Sequence, residues 1–159
     1  MKIEGRFVFD GIAPGVVWEF LTDAHRIAEC LPGCQKLEQT GEGAYSMQLR
    51  FGVGAICGVF NGSICLHDLQ PPSQYQMTVN GSGAAGFVKG EGVVHLAPSD
   101  AGALLNYSGD VSPGGPIASL GQRMVCGAAR MVIDQFFKSV CGKLMAACSD
   151  DKATAQSPQ

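Results

Sequence analysis

A chain of 159 residues fits one domain with one core, and its 16% charged residues and 22 glycines suit a sheet-rich fold with many turns rather than a disordered or coiled-coil one. A net charge of −3 with no basic cluster excludes the electrostatic footprint of a nucleic-acid binder. The seven cysteines are odd in number and scattered, the usage of reduced, buried thiols, and no apolar run reaches the ~18 residues of a membrane-spanning helix, so the chain reads as soluble and cytoplasmic.

The first stretch, MKIEGRFVFD, sets Ile3, Phe7 and Phe9 on one face and Lys2, Glu4, Arg6 and Asp10 on the other. Charges interleaved with apolar residues make a half-buried strand, not the continuous apolar core of a secretory signal. Gly11 to Pro14 turns the chain, and Val16, Val17, Phe20 and Leu21 predict a short amphipathic helix starting near Pro14. Thr22 and Asp23 cap a second short helix, Ala24 to Cys30, which the Leu31-Pro32-Gly33 turn ends. Cys30 and Cys34 form the nearest thiol pair; with no second pair and no histidine at ligand spacing, they read as packing residues around a Pro-Gly turn rather than zinc ligands.

From residue 35 to 112 the pattern is almost entirely period two, which predicts six further strands. Turn signals break it at Gly41 to Gly43, Gly52 to Gly54, Pro71-Pro72, Gly81 to Gly86 and Pro98 to Gly102. Tyr45, Met47, Leu49, Phe51, Val53, Ile56, Phe60, Ile64, Leu66, Tyr75, Met77, Val79, Val88, Val94, Leu96, Leu105, Tyr107 and Val111 share the dry faces. Polar residues such as Gln48, Asn61, His67, Asn80, His95 and Asp110 hold the wet ones, the signature of an antiparallel sheet packed on one side. GSGAAGFVKGEG, residues 81–92, lacks the Lys-Ser/Thr pair of a phosphate loop and runs on into strand, so its glycines are read as bending a strand and leaving room over the interior, with Phe87 at the mouth.

Pro116 to Cys148 predicts one long helix, with Pro116 in its first turn and Leu120, Met124, Ala128, Met131 and Gln135 on one face. That face is expected to meet the sheet. Past Arg130 a second stripe, Ile133, Phe137, Val140 and Leu144, falls on the opposite side. Either the two short helices cover it, or it is a contact for a partner, a second copy or a membrane surface. The polar stretch 149–159 is expected as a disordered tail, which leaves residues 1–148 as one folded domain.

The inward faces carry almost no groups fit for catalysis; the inward polar groups are the hydroxyls of Tyr45, Tyr75 and Tyr107 and the amide of Gln135, and no carboxylate pair faces in. Methionines at 47, 77, 124 and 131 make a forgiving lining, so these side chains either fill the core or leave an apolar pocket.

Strand, two short helices, six strands and a long helix make an α+β order that resembles the helix-grip fold of the START-like superfamily, a curved seven-stranded antiparallel sheet around a long C-terminal helix. MKIEGRFVFD, VWEFLTD, CLPGCQKLE, GSGAAGFVKGEG and AARMVIDQFF are similar to recurring stretches of the CoxG family of carbon monoxide dehydrogenase subunits and span residue 1 to about 137. The resemblance implies a non-catalytic accessory protein with no cofactor of its own that binds a lipophilic ligand such as a quinone or lipid. It would assist membrane recruitment of, or carrier delivery to, a molybdenum-dependent carbon monoxide dehydrogenase or related hydroxylase. The alternative is a cyclase- or hydratase-like enzyme on the same fold. On the carrier reading the ligand meets Met47, Phe51, Phe60, Tyr75, Met77, Phe87, Met124, Ala128, Met131 and Gln135. Contact with the enzyme partner, a second copy or the inner face of the cell membrane falls to Ile133, Phe137, Val140 and Leu144.

Overall fold

The computed structural model describes residues 1–53 and 56–156, apart from the side chains of residues 51, 53, 56 and 148–156. Strand β1 (Lys2–Asp10) is followed by helices α1 (Pro14–Leu21) and α2 (Ala24–Cys30) and then by six strands. These are β2 (Cys34–Gly41), β3 (Ala44–Val53), β4 (Ile56–Gln70), β5 (Gln74–Gly83), β6 (Gly86–Ser99) and β7 (Gly102–Gly114). All pair antiparallel in one curved sheet of order β1-β7-β6-β5-β4-β3-β2, so the strands from β2 to β7 are joined by hairpins and β1 closes onto β7. The β2/β3, β4/β5, β5/β6 and β6/β7 hairpins fall at turns the sequence marks. Asp23 caps α2 by accepting from the backbone N–H groups of His25 and Arg26, a contact worth ~1 kcal/mol at such a site.

The alternation of β1 is kept: Ile3 and Phe9 are buried while Lys2, Glu4, Arg6 and Asp10 are exposed. Among the described residues, every buried side chain is apolar or a tyrosine, and no charged group is buried.

The long helix departs from expectation in two ways. Pro116 opens a 3-10 turn (Gly115–Leu120), not the helix itself, and α3 (Gln122–Gln156) begins only after Gly121, whose φ of +90° lies where side-chain-bearing residues are strained. At its other end the backbone of α3 runs to Gln156.

The second departure concerns which face packs. Phe137, Val140 and Leu144 are 6%, 0% and 3% exposed, and Ile133 is packed partly against the same core. Met124 and Met131 are 47% and 46% exposed, and Gln135 is exposed as well. The reason is area: an isoleucine, a phenylalanine, a valine and a leucine bury more apolar surface than two methionines, an alanine and a glutamine, so the branched and aromatic stripe turns inward. The Phe137 ring lies 5.8 Å from Phe7, 6.4 Å from Phe9 in an edge-on arrangement and 5.7 Å from Tyr107. Lys143 reaches Glu29 at 3.1 Å and ties α3 to α2. What covers the stripe is therefore β1, β7 and α2, in one core with the buried side chains of α1.

Candidate functional site

The concave face of the sheet can be mapped row by row from its register. One row runs Tyr75, Val94, Tyr107, Gly5, and the next Leu66, Met77, Gly92, Gly109, Ile3. A third runs Tyr45, Ile64, Val79, Gly90, Val111, and a fourth Met47, Gly62, Gly81, Val88, Pro113. Gly62, Gly81, Gly90, Gly92 and Gly109 thus pave the middle of the inner face. Toward the α1/α2 end lies the main core, where Phe9, Val17, Trp18, Leu96, Leu105, Phe137 and Val140 pack together. At the other end, Phe60, Ile117 and Val125 make a small separate cluster with Leu120, Ala128 and Val88 against it.

Between the two clusters the packing thins. A Cβ placed on Gly81 would meet nothing within 4 Å, and one on Gly90 would touch only the neighbouring strand, Asp110 O at 3.6 Å and Val111 Cγ2 at 3.9 Å. No described side chain of α3 descends onto either. Helix α3 lies instead against α2, β1 and the 3-10 turn. Met47, Ile64, Met77, Val79 and Val111 face inward yet are only half-buried, as are Ile133 and Phe136 on the helix above. Inward-facing apolar side chains that stay partly accessible over a floor without Cβ atoms make the surface between sheet and helix a candidate apolar cleft.

Its polar groups are few. Tyr45 and Tyr75 are both buried, and neither hydroxyl has a hydrogen-bond partner among the described residues. Tyr75 meets Trp18 edge-on at 5.5 Å, and burial holds its hydroxyl far above the ordinary tyrosine value. Tyr107 lies over Gly5 and beside Phe137; burial and the charge of Asp134 raise its pKa, and Arg130 opposes them. Burial also raises the thiols of Cys30 and Cys34, which keeps both protonated at neutral pH. His67 sits on the outer face, its ring nitrogens 3.0 Å from Asp68 Oδ2 and 3.1 Å from Thr78 Oγ1.

Of the residues predicted to line a pocket, Met47 and Met77 are in the cleft, Tyr75 is at its α1 end, and Phe60 and Ala128 are in the small cluster that closes the other end. Phe51 lies outside the described side chains. Phe87 is on the wrong face: strand alternation places it outside, 47% exposed, with its ring laid over Gly114. Met124, Met131 and Gln135 point away from the sheet, and the predicted contact residues Ile133, Phe137, Val140 and Leu144 are core or cleft instead. Sequence reasoning missed Trp18 and left Ile64 and Val79 on the dry face without assigning them to the site, while it read the glycines of residues 81–92 as leaving room over the interior. The floor had a signal, since Gly81, Gly90 and Gly92 fall on the inward parity of β5 and β6. Two depressions, of about 240 and about 360 Å³, lie on the outer face among polar side chains such as Asn61, Asn80 and Lys89 or Arg6, His95 and Asn106.

The family model for CoxG, a subunit of carbon monoxide dehydrogenase, matches residues 11–145. A crystal structure of a conserved protein from Geobacillus kaustophilus is 34% identical over 92% of this chain and 97% of that one, with a TM-score of 0.88. A START superfamily protein from Mycobacterium smegmatis is 14% identical, with a TM-score of 0.69 and coverage of 92% and 98%. The di-domain ARO/CYC StfQ of the steffimycin biosynthetic pathway is also 14% identical, with a TM-score of 0.61 over 96% of this chain and 52% of that one. The last two likenesses concern the fold alone. No curated protein matches the chain.

Proposed function

The chain belongs to the CoxG family of carbon monoxide dehydrogenase subunits, and on that premise we propose that it is a non-catalytic accessory protein carrying a lipophilic ligand in the cleft between the concave sheet and α3. The ligand is a quinone-like electron carrier or a lipid, and the protein served is a molybdenum-dependent carbon monoxide dehydrogenase or a related hydroxylase. The observation that carries this reading is the open floor at Gly81 and Gly90 beneath half-buried methionines and branched aliphatics. Such a surface would be filled in a domain selected for packing alone, because each apolar group left accessible forfeits burial energy. Carrier delivery is favoured over membrane recruitment, since the stripe that offered a membrane contact is interior. No described helix is long and apolar enough to cross a membrane.

The enzymatic alternative has one observation on its side: Asp134 and Arg130 act electrostatically on Tyr107 at the cleft wall. Neither hydrogen-bonds it, and among the described residues the buried interior offers no carboxylate or histidine to a tyrosine hydroxyl, which supports binding over acid/base work.

Mass spectrometry of an organic extract of the purified protein tests the proposal. A lipophilic species should be recovered in stoichiometric amount. Recovery of none, together with no binding of quinone analogues, would overturn it.

A further inference from the structure

We propose that Tyr75 selects the chemical class of the ligand: its hydroxyl donates a hydrogen bond to an uncharged acceptor, the carbonyl of a ketone, quinone or ester, and the cleft discriminates against lipophilic carboxylates. The inference rests on the cleft being the lipophile site, and it adds the head group that site prefers.

Three observations converge. First, the Tyr75 hydroxyl has no partner among the described residues, yet no described buried side-chain oxygen is sealed away without one. Both hold together only if the oxygen borders open space. A phenylalanine would fill the same ring position against Trp18 without desolvating a hydroxyl, so the oxygen is explained by something that enters that space. Second, burial keeps the phenol protonated throughout the physiological range, which makes it a donor. A carbonyl needs one donor and carries no charge.

Third, the described interior contains no cation. No lysine, arginine or histidine is among the buried residues. Arg130, the cation nearest the inner face at Tyr107, is itself exposed and opposed there by Asp134. A carboxylate drawn into the cleft would lose its water and find no counter-charge, whereas a neutral carbonyl loses little and gains the phenol.

Trp18 is the chain's single tryptophan, and its contact with Tyr75 makes its fluorescence a local reporter. Delipidated full-length protein and its Tyr75→Phe variant are titrated at neutral pH with a long-chain methyl ketone, the fatty acid of equal carbon count and the corresponding alkane. Equilibrium dialysis supplies the same constants without relying on Trp18. The ketone should bind wild type at least ~10-fold more tightly than the acid or the alkane, and Tyr75→Phe should bring it within about threefold of the alkane while leaving the alkane unchanged. Fatty acid binding as tight as the ketone, or a preference that survives Tyr75→Phe, would overturn the role of Tyr75 and leave the cleft standing. Failure of all three probes to bind wild type would remove the cleft reading and this inference with it.

Discussion

The two ends of the concave face are built on the same strands and packed to different standards. At the α1/α2 end, Phe9, Val17, Leu105 and Val140 are almost wholly shielded from solvent, and the rings of Phe7, Phe9, Phe137 and Tyr107 interlock beneath α3. A few residues along those strands, the side chains shrink to Gly62, Gly81 and Gly90, and the apolar groups around them stay half-accessible. The dense end holds the fold. The thin stretch is where stability has been left unclaimed, and a cleft with an apolar lining is what that leaves.

The dense end is the more sensitive to truncation. Phe137→Ala should cost about 3–5 kcal/mol in denaturant unfolding, because the ring leaves a cavity among four other aromatic side chains. At the thin stretch the currency changes from stability to binding. Gly81→Val or Gly90→Val should weaken a lipophilic probe by about tenfold or more, while thermal and urea unfolding move by less than about 1 kcal/mol, since the new side chain enters open space on a strand that favours branching.

Alkaline pH sharpens the boundary between the two regions at Tyr75. Its folded pKa is raised, so between the unfolded and folded values the native state binds more protons than the unfolded one and stability falls as pH rises. The loss should begin near pH ~10 and continue upward, and urea unfolding at about pH 9 and about pH 11 should show a steeper decline for wild type than for Tyr75→Phe. Smaller still, Lys143→Ala removes a solvent-exposed pair with Glu29 and should cost roughly 0–1 kcal/mol. Met131→Ser, on the outward face of α3, should stay within about 0.5 kcal/mol of wild type and leave probe binding unchanged.

The sheet was legible because period-two alternation and turn residues act locally: Ile3 and Phe9 opposite Lys2 and Asp10, or Gly41 to Gly43 between two strands, need no knowledge of the partner element. The face of α3 was not. Two apolar stripes ran along it, one through Met124 and Met131 and the other through Phe137 and Val140, and periodicity weighs them alike. Their competition is settled by area buried against β1 and the short helices, a tertiary quantity. The same holds for Phe87, where one residue of parity on β6 separates the cleft from the solvent face. The inward placement of Met47, Tyr75 and Met77 was legible since their strand parity was secure. The glycine floor was visible as composition, but only the register across β4, β5, β6 and β7 brings Gly62, Gly81, Gly90, Gly92 and Gly109 onto one surface.

The most direct test of the cleft is amide chemical-shift mapping by nuclear magnetic resonance during titration of the full chain with the long-chain methyl ketone. The largest saturable shifts should fall at Gly81, Gly90 and Gly92 and at the flanking residues Met47, Met77 and Val79, with Met124, Met131 and the outer-face groove at Asn61 and Asn80 unmoved. Shifts concentrated on the outward face of α3 or on the outer groove, with the glycine floor silent, would contradict the cleft.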